Sequence, residues 1–323
     1  MELRITDAER IYQEIANAQS VEAKLKAYAL CNWGAMSARY DVLGKPEELR
    51  RISGMLEQSL QMGIMDFHMS DALFKLARIA RYEGKWESQR MWLTRAREFF
   101  EKIGDNYGLM ATYSEMKRAN ARRGIWKDFL RMHENAVITL EKIPKPSLST
   151  KLLVLGDWNW CFALMGRLTE SERNINEALR FAREIEDQLI VIHQLRDMIW
   201  ILGVYGNLTH ARACFDEAYS IAKKLGEAVS IEIPSLEGFI GIVLCINGDL
   251  SQGQEYLRHS LDMKIQMKDH PGVQEPLLWL GLTNELSHQW EDAEKYYRRN
   301  EEWKWYGRIY FDSIALTGLI RVK

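Results

Sequence analysis

Gly-Arg-Leu-Thr-Glu-Ser at 166–171, Gly-Asn-Leu-Thr-His-Ala at 206–211 and Gly-Asp-Leu-Ser-Gln-Gly at 248–253 are versions of one stretch, and their recurrence decides the fold. Each glycine ends an apolar-periodic segment, where it supplies the left-handed conformation that closes a helix. The Thr or Ser three residues on is placed as an N-cap for the helix that follows. Working outward, Gly44, Gly84 and Gly124 extend the series upstream and His288 takes its seventh place. Successive members lie 40, 40, 42, 40, 42 and 40 residues apart. Twelve residues past the turn a small side chain recurs, as Ala96, Ala136, Ala178, Ala218 and Ser260, which lets two helices approach closely. Each unit therefore reads as a helix, a tight turn and a second helix, stacked on the next.

These positions carry a resemblance. Trp33, Met36, Ser37 and Tyr40 resemble the W-x2-L-G-x2-Y half of the tetratricopeptide signature. Ala211, Phe215 and Ala218 match its A-x3-F-x2-A half, and Leu280, Gly281, Ala293 and Tyr297 match around His288. Ala77 and Gly241 fill the small position before their turns, whereas Lys117, Asn159 and Ile199 depart from it. The chain resembles a tetratricopeptide repeat (TPR) solenoid with long repeats of about 40 residues, similar to the sensor region of MalT-like signalling regulators. The resemblance implies an all-α, right-handed solenoid forming a single domain over 1–323. Its parts are an N-terminal helix in 1–25, seven repeats in 26–308 and a C-terminal helix in 309–323. The last segment, Ile314 to Ile320, reads either as the first helix of a further repeat or as an apolar cap.

Composition narrows the function. With 47% hydrophobic and 27% charged residues and a net charge of −2, the chain is globular and lacks the basic footprint of a non-specific nucleic-acid binder. The apolar run from Gly238 to Ile246 falls well short of the ~20 residues of a membrane helix. The first residues carry no signal core, so a cytoplasmic location is expected. Cys31, Cys161, Cys214 and Cys245 are widely spaced in apolar contexts and read as small buried hydrophobes. The seven histidines form no metal-ligand spacing, and no phosphate loop is present. His210 and Cys214 lie one turn apart without a third orienting group. No catalytic residue, cofactor or metal is implied, and the chain is not read as an enzyme.

The remaining reading is recognition of a protein or peptide. In the family resembled, the first helix of each pair forms the concave wall. Residues eleven, eight, seven and four before the turn are core positions. Those ten, six and three before it then face the groove. The six-before series is Ala38, Arg78, Arg118, Trp160, Trp200, Ile242 and Leu282, and the three-before series is Asp41, Arg81, Ala121, Ala163, Gly203, Cys245 and Glu285. Arg196 stands one turn from Trp200 in the ten-before row. Arginine and tryptophan are enriched at binding hot spots. The partner-binding candidates are accordingly Arg78, Arg81, Arg118, Trp160, Arg196, Trp200, Ile242 and Leu282, and the alternative is that they pack or pair within the chain. The expected function is a scaffold, or a sensor or docking arm, of a regulatory or signalling assembly. One alternative is the non-catalytic TPR region of a larger effector, a STAND-type ATPase regulator or a caspase-like protease. Another is a repeat-type RNA binder, for which Lys117, Arg118, Arg122 and Arg123 supply a local basic cluster.

Overall fold

The computed structural model describes residues 2–37, 46–63, 70–156, 158–267, 270–302 and 317–321. Ala38, Tyr40, Asp41 and Gly44, and most of the expected C-terminal helix, lie outside these. Two compact units divide the chain, 1–116 and 117–323. The first holds α1 (Glu2–Asn17), α2 (Ala23–Ser37), α3 (Pro46–Gln61), α4 (Ser70–Tyr82), α5 (Trp86–Ile103) and most of α6 (Asn106–Arg122). The second continues through α7 (Trp126–Glu141), α8 (Leu148–Leu155), α9 (Trp160–Leu164), α10 (Leu168–Glu184), α11 (Gln188–Val204) and α12 (Leu208–Leu225). After a 3-10 turn at Gly226–Val229 come α13 (Glu232–Ile246), α14 (Leu250–Gln266), α15 (His270–Leu286) and α16 (Trp290–Glu302). No strand occurs among the described residues. In the second unit α11 packs on α12 and α13, and α13 on α14 and α15, so first helices form one layer and second helices another.

The repeated turn is built as its sequence implies. Gly84, Gly124, Gly166, Gly206 and Gly248 all have left-handed backbone, and His288 joins them at φ 58°. The same pair of bonds closes each turn. At Gly206 its N–H donates to Gly203 O at 3.1 Å, and Asn207 N–H donates to Leu202 O at 2.8 Å. The cap differs from expectation. Asn207 and Asp249, one residue past the glycine, are the N-caps, accepting from His210 N and Gln252 N. Thr209 and Ser251 already lie inside the helix, because the turn closes in two residues. A second left-handed series, Gly63, Gly104, Lys145, Glu186 and Gly226, marks the turns between repeats. Only three of its five members are glycine, which hides it in the sequence.

The two helices of a pair cross where the residue seven before the turn meets the residue five after it. At Gly241 and Gly253 each missing Cβ would fall within 3 Å of the other's carbonyl oxygen. The three departures from small residues are accommodated separately. Ile199 is fully buried opposite Ala211. Asn159 sits where the fourth first helix breaks between α8 and α9, with Trp158 at φ 64°, and Ser171 donates to its carbonyl at 2.6 Å. Lys117 is buried and extends to Val154 O at 2.8 Å. Asn159 Nδ2 reaches Leu155 O and Gln194 Nε2 reaches Gly156 O. The last three carbonyls of the broken helix, which have no helical donor, are thereby each given a buried side-chain partner.

His133 packs edge-on against Phe162 beside this break, at 4.9 Å. Burial, with the charges of Lys117, Arg167 and Arg173, pushes its imidazole down to about 3.

Two outcomes are expected. Left-handed backbone costs a side-chain-bearing residue about 1–2 kcal/mol. His288→Gly should therefore raise the unfolding free energy by up to about 1 kcal/mol, offset in part by the freer unfolded chain, and Gly206→Ala should lower it; urea unfolding measures both. The folded state keeps His133 neutral at pH values where the unfolded chain, with an ordinary pKa of about 6.5, takes up a proton. The corresponding stability is complete above pH 6.5 and drains as pH falls toward 3. Urea titrations from pH 7 to 4.5 should show a decline below pH 6.5 of up to about 1.4 kcal/mol per unit from this group, and His133→Gln should flatten it.

Candidate functional site

First helices of the second unit are apolar nearly all round, because each is covered by its own second helix and by first helices on either side. Little of their surface remains. On α11 the residues left half-buried or exposed after the first turn are His193, Arg196, Trp200, Leu202 and Val204. Four members of the three-before row, expected to line the groove, are instead buried: Ala121, Ala163 and Cys245 are under 10% exposed, and a Cβ on Gly203 would collide with Val243, while Arg81 and Glu285 are half-buried. That row faces the neighbouring helices. One residue further on, Leu164, Val204, Ile246 and Leu286 form the exposed row, at 46%, 40%, 44% and 69%.

The candidate residues separate accordingly. Arg78 and Arg81 are half-buried on α4 of the first unit, and both are engaged in interactions. Arg118, in the second unit, is half-buried and likewise engaged. Ile242 is a correction: it has no exposed surface, being packed with Leu257, Leu261, Val273, Leu277 and Leu280. Its helix presents Phe239 instead, three residues earlier. Leu282 is half-buried against the terminal core of Leu278, Ala293, Tyr297 and Leu319. The basic cluster is dispersed, since Lys117 is internal and Arg122 lies over the Trp158 ring at 4.8 Å. Arg118, Arg122 and Arg123 stay half-buried, so the local footprint of the RNA alternative loses Lys117.

Two aromatic clusters remain on the first-helix face of the second unit. At the helix break, Trp158 and Trp160 lie 5.5 Å apart, beside Trp126 and Met165. The second spans three repeats. Trp200 on α11 meets Phe239 on α13 at 6.2 Å and Trp279 on α15 at 6.3 Å, both edge to face. Arg196 lies 5.4 Å from the centre of the Phe239 ring. It faces Glu232 at 3.5 Å and Asp197 at 3.7 Å, while His193 Nε2 lies 3.2 Å from Glu232. Burial raises the Glu232 carboxyl, but the hydrogen bond and charge of His193, with Arg196 and Lys264, outweigh it and hold the group below the ordinary carboxylate value. Phe239 and Trp279 were missed in the sequence because both lie nine before their turns, one position off the expected ten.

Elsewhere, a cavity of about 300 Å³ between α3, α4 and α5 is lined by Arg50, Glu57, Glu83, Lys85 and Trp92 among others. Among the described residues no group of three or more His, Cys, Asp or Glu could hold a metal ion, and no helix is long and apolar enough to cross a membrane. Cys31, Cys161 and Cys245 are buried, as expected, but Cys214 is half-buried. Burial raises the Cys214 thiol, and His210 turns its Nδ1 to Asn207 at 2.9 Å.

No protein-family model matches the chain, and no curated protein matches it in sequence. Solved structures do. The apo form of the quorum sensor NprR from B. thuringiensis superposes with a TM-score of 0.69 at 12% identity, over 94% of this chain and 81% of that one. NprR in complex with its cognate peptide NprX gives 0.62 at 12% identity, over 90% and 82%. Aspartyl phosphate phosphatase F from Bacillus subtilis gives 0.69 at 13% identity, over 88% and 73%. The tetratricopeptide sensor-bearing STAND protein from Pyrococcus horikoshii gives 0.58 at 13% identity, over 98% of this chain but 49% of its own. The fold is a tetratricopeptide-type helical solenoid, similar to the sensor regions of signalling proteins.

The burial pattern sets one expectation. Ile242→Ala should cost roughly 2–5 kcal/mol of unfolding free energy, whereas Ile246→Ala, four residues on in the same helix, should change it by less than about 0.5 kcal/mol. Chemical denaturation of the two variants provides the comparison.

Proposed function

We propose that the first-helix face of residues 117–323 binds a peptide or an extended protein segment, and that the chain serves as the sensing or docking arm of a regulatory assembly. The carrying observation is the half-buried Trp200–Phe239–Trp279 cluster with Arg196, formed by side chains from three consecutive repeats. Aromatic rings and arginine left partly open on a rigid layer are the residue types that dominate binding energy. Partly exposed rings arranged contiguously need a covering partner more than scattered ones do. The likeness to NprR, held in one structure with its cognate peptide, supports the same reading. The role is one of binding, with no catalytic residue assigned.

The test is selection of binders from a displayed random peptide library on the full chain. Selected peptides should bind Trp200→Ala about ten-fold or more weakly, as expected for a desolvated aromatic anchor. They should bind Ile138→Ser, altered on the exposed side of α7, as tightly as wild type. Circular dichroism and melting temperature must be matched across the three proteins. Selected peptides that ignore Trp200→Ala, or a library that yields no binder, would remove the assignment.

A further inference from the structure

The charges around the aromatic cluster are already matched. Arg196 meets Glu232, Glu232 is also held by His193, and the Glu232 carboxylate additionally feels the positive charge of Lys264. A charged side chain entering here would leave water to face three rings, with its natural counter-charges engaged by one another, and desolvation would oppose it. A large uncharged side chain meets no such penalty and gains contact with Trp200, Phe239 and Trp279.

The Arg196–Glu232 pair has a second property. Its members meet by charge at 3.5 Å without a hydrogen bond. Arg196 Nε and Glu232 Oε2 are both shielded from solvent and carry no hydrogen bond. A donor and an acceptor with unused hydrogen-bonding capacity thus belong to two side chains whose nearest approach is 3.5 Å, at the edge of an apolar surface. In an extended peptide the N–H and C=O of one residue point to the same side, and together they offer a donor and an acceptor with no net charge. A small swing of the Arg196 side chain, itself 23% exposed, would bring its Nε outward and uncover the Glu232 oxygen that it faces.

From this geometry we infer that the surface formed by Trp200, Phe239 and Trp279, with Arg196 and Glu232, is a subsite for one uncharged aromatic or large aliphatic residue of the bound peptide. The main-chain N–H of that residue faces Glu232 and its C=O faces Arg196. The inference rests on the peptide-binding reading above and deepens it: Arg196 is not an anchor for an acidic residue while Glu232 is in place.

The experiment uses the full chain and labelled heptapeptide pools, acetylated and amidated at their ends. The central residue is fixed in turn as Trp, Phe, Leu, Asp, Glu, Lys or Arg, and the other six are randomised. Binding is followed by fluorescence anisotropy. Pools centred on Trp, Phe or Leu should bind about five-fold more tightly than the charged pools. Trp279→Ala should erase that preference while leaving the binding of charged pools within about two-fold. Glu232→Gln removes the nearer of the two carboxylates that face Arg196, leaving Asp197 at 3.7 Å, and the unbalanced charge should move the Asp and Glu pools ahead of the Lys and Arg pools. This gain does not depend on Trp279→Ala being well folded. Charged centres winning on the wild-type chain would overturn the subsite and leave the peptide site standing. So would an apolar preference that survives Trp279→Ala, or a Glu232→Gln protein with no shift toward acidic pools. If no pool binds at all, the peptide site itself fails, and the subsite with it.

Discussion

The rest of the second unit depends on how closely the two helices of each pair can cross. Where Gly241 meets Gly253, each backbone carbonyl occupies the space that the other residue's Cβ would need. At Gly281 the Tyr297 ring fills the space that a Cβ would need. Backbones this close bring the flanking side chains into continuous layers, so each first helix can be covered on several sides at once. Residues with side chains at the crossing force a local solution. Lys117 becomes a buried donor to Val154 O, and Asn159 stands at a break whose freed carbonyls are taken by Lys117, Asn159 and Gln194. Buried polar groups are tolerable when each finds a partner, and costly when one is removed.

Wide coverage also explains why the open first-helix surface is narrow. Once neighbouring helices have covered most of a first helix, a few positions per repeat still reach solvent. The positions left open form a row that runs from repeat to repeat. In the second unit this row collects Trp200, Phe239 and Trp279, three rings far apart in sequence that lie 6.2 and 6.3 Å from one another. Their placement on helices fixes the geometry in advance, which would lower the ordering cost of the proposed binding. The neighbouring ions compensate one another, so the apolar character of the surface is not offset by a stray charge.

Much of the architecture was legible in the sequence. The turn series at 40–42-residue intervals marks positions where the backbone must be left-handed, a demand that only a few residue types meet cheaply. Even His288, which breaks the glycine rule, adopts the conformation its place requires. The small residues twelve past each turn are fully buried, from Ala96 to Ser260, because a close helix contact excludes a larger side chain. Trp200 and Arg196 are half-buried at two of the three positions expected to face outward on their helix, whereas the third, Gly203, is sealed against Val243. The N-caps were misplaced by two residues, since Thr209 and Ser251 have capping chemistry but the turn closes earlier, at Asn207 and Asp249.

What the sequence by itself determined is therefore the repeat, its helices and the residues at its turns and crossings. These depend on local backbone conformation and on steric size, both encoded residue by residue. Only the tertiary structure decided which side of each first helix stays open. Ile242 and Phe239 are both large and apolar, and nothing in composition separates the one that is sealed against Leu257 and Leu277 from the one that meets Trp200. A helix hydrophobic all round has no intrinsic outward face, so its orientation is set by the neighbours it packs against. The same holds for Glu232, whose lowered pKa comes from His193 and Arg196 on another helix. Pairings made across repeats, at separations of nearly forty residues, leave no local trace in the chain.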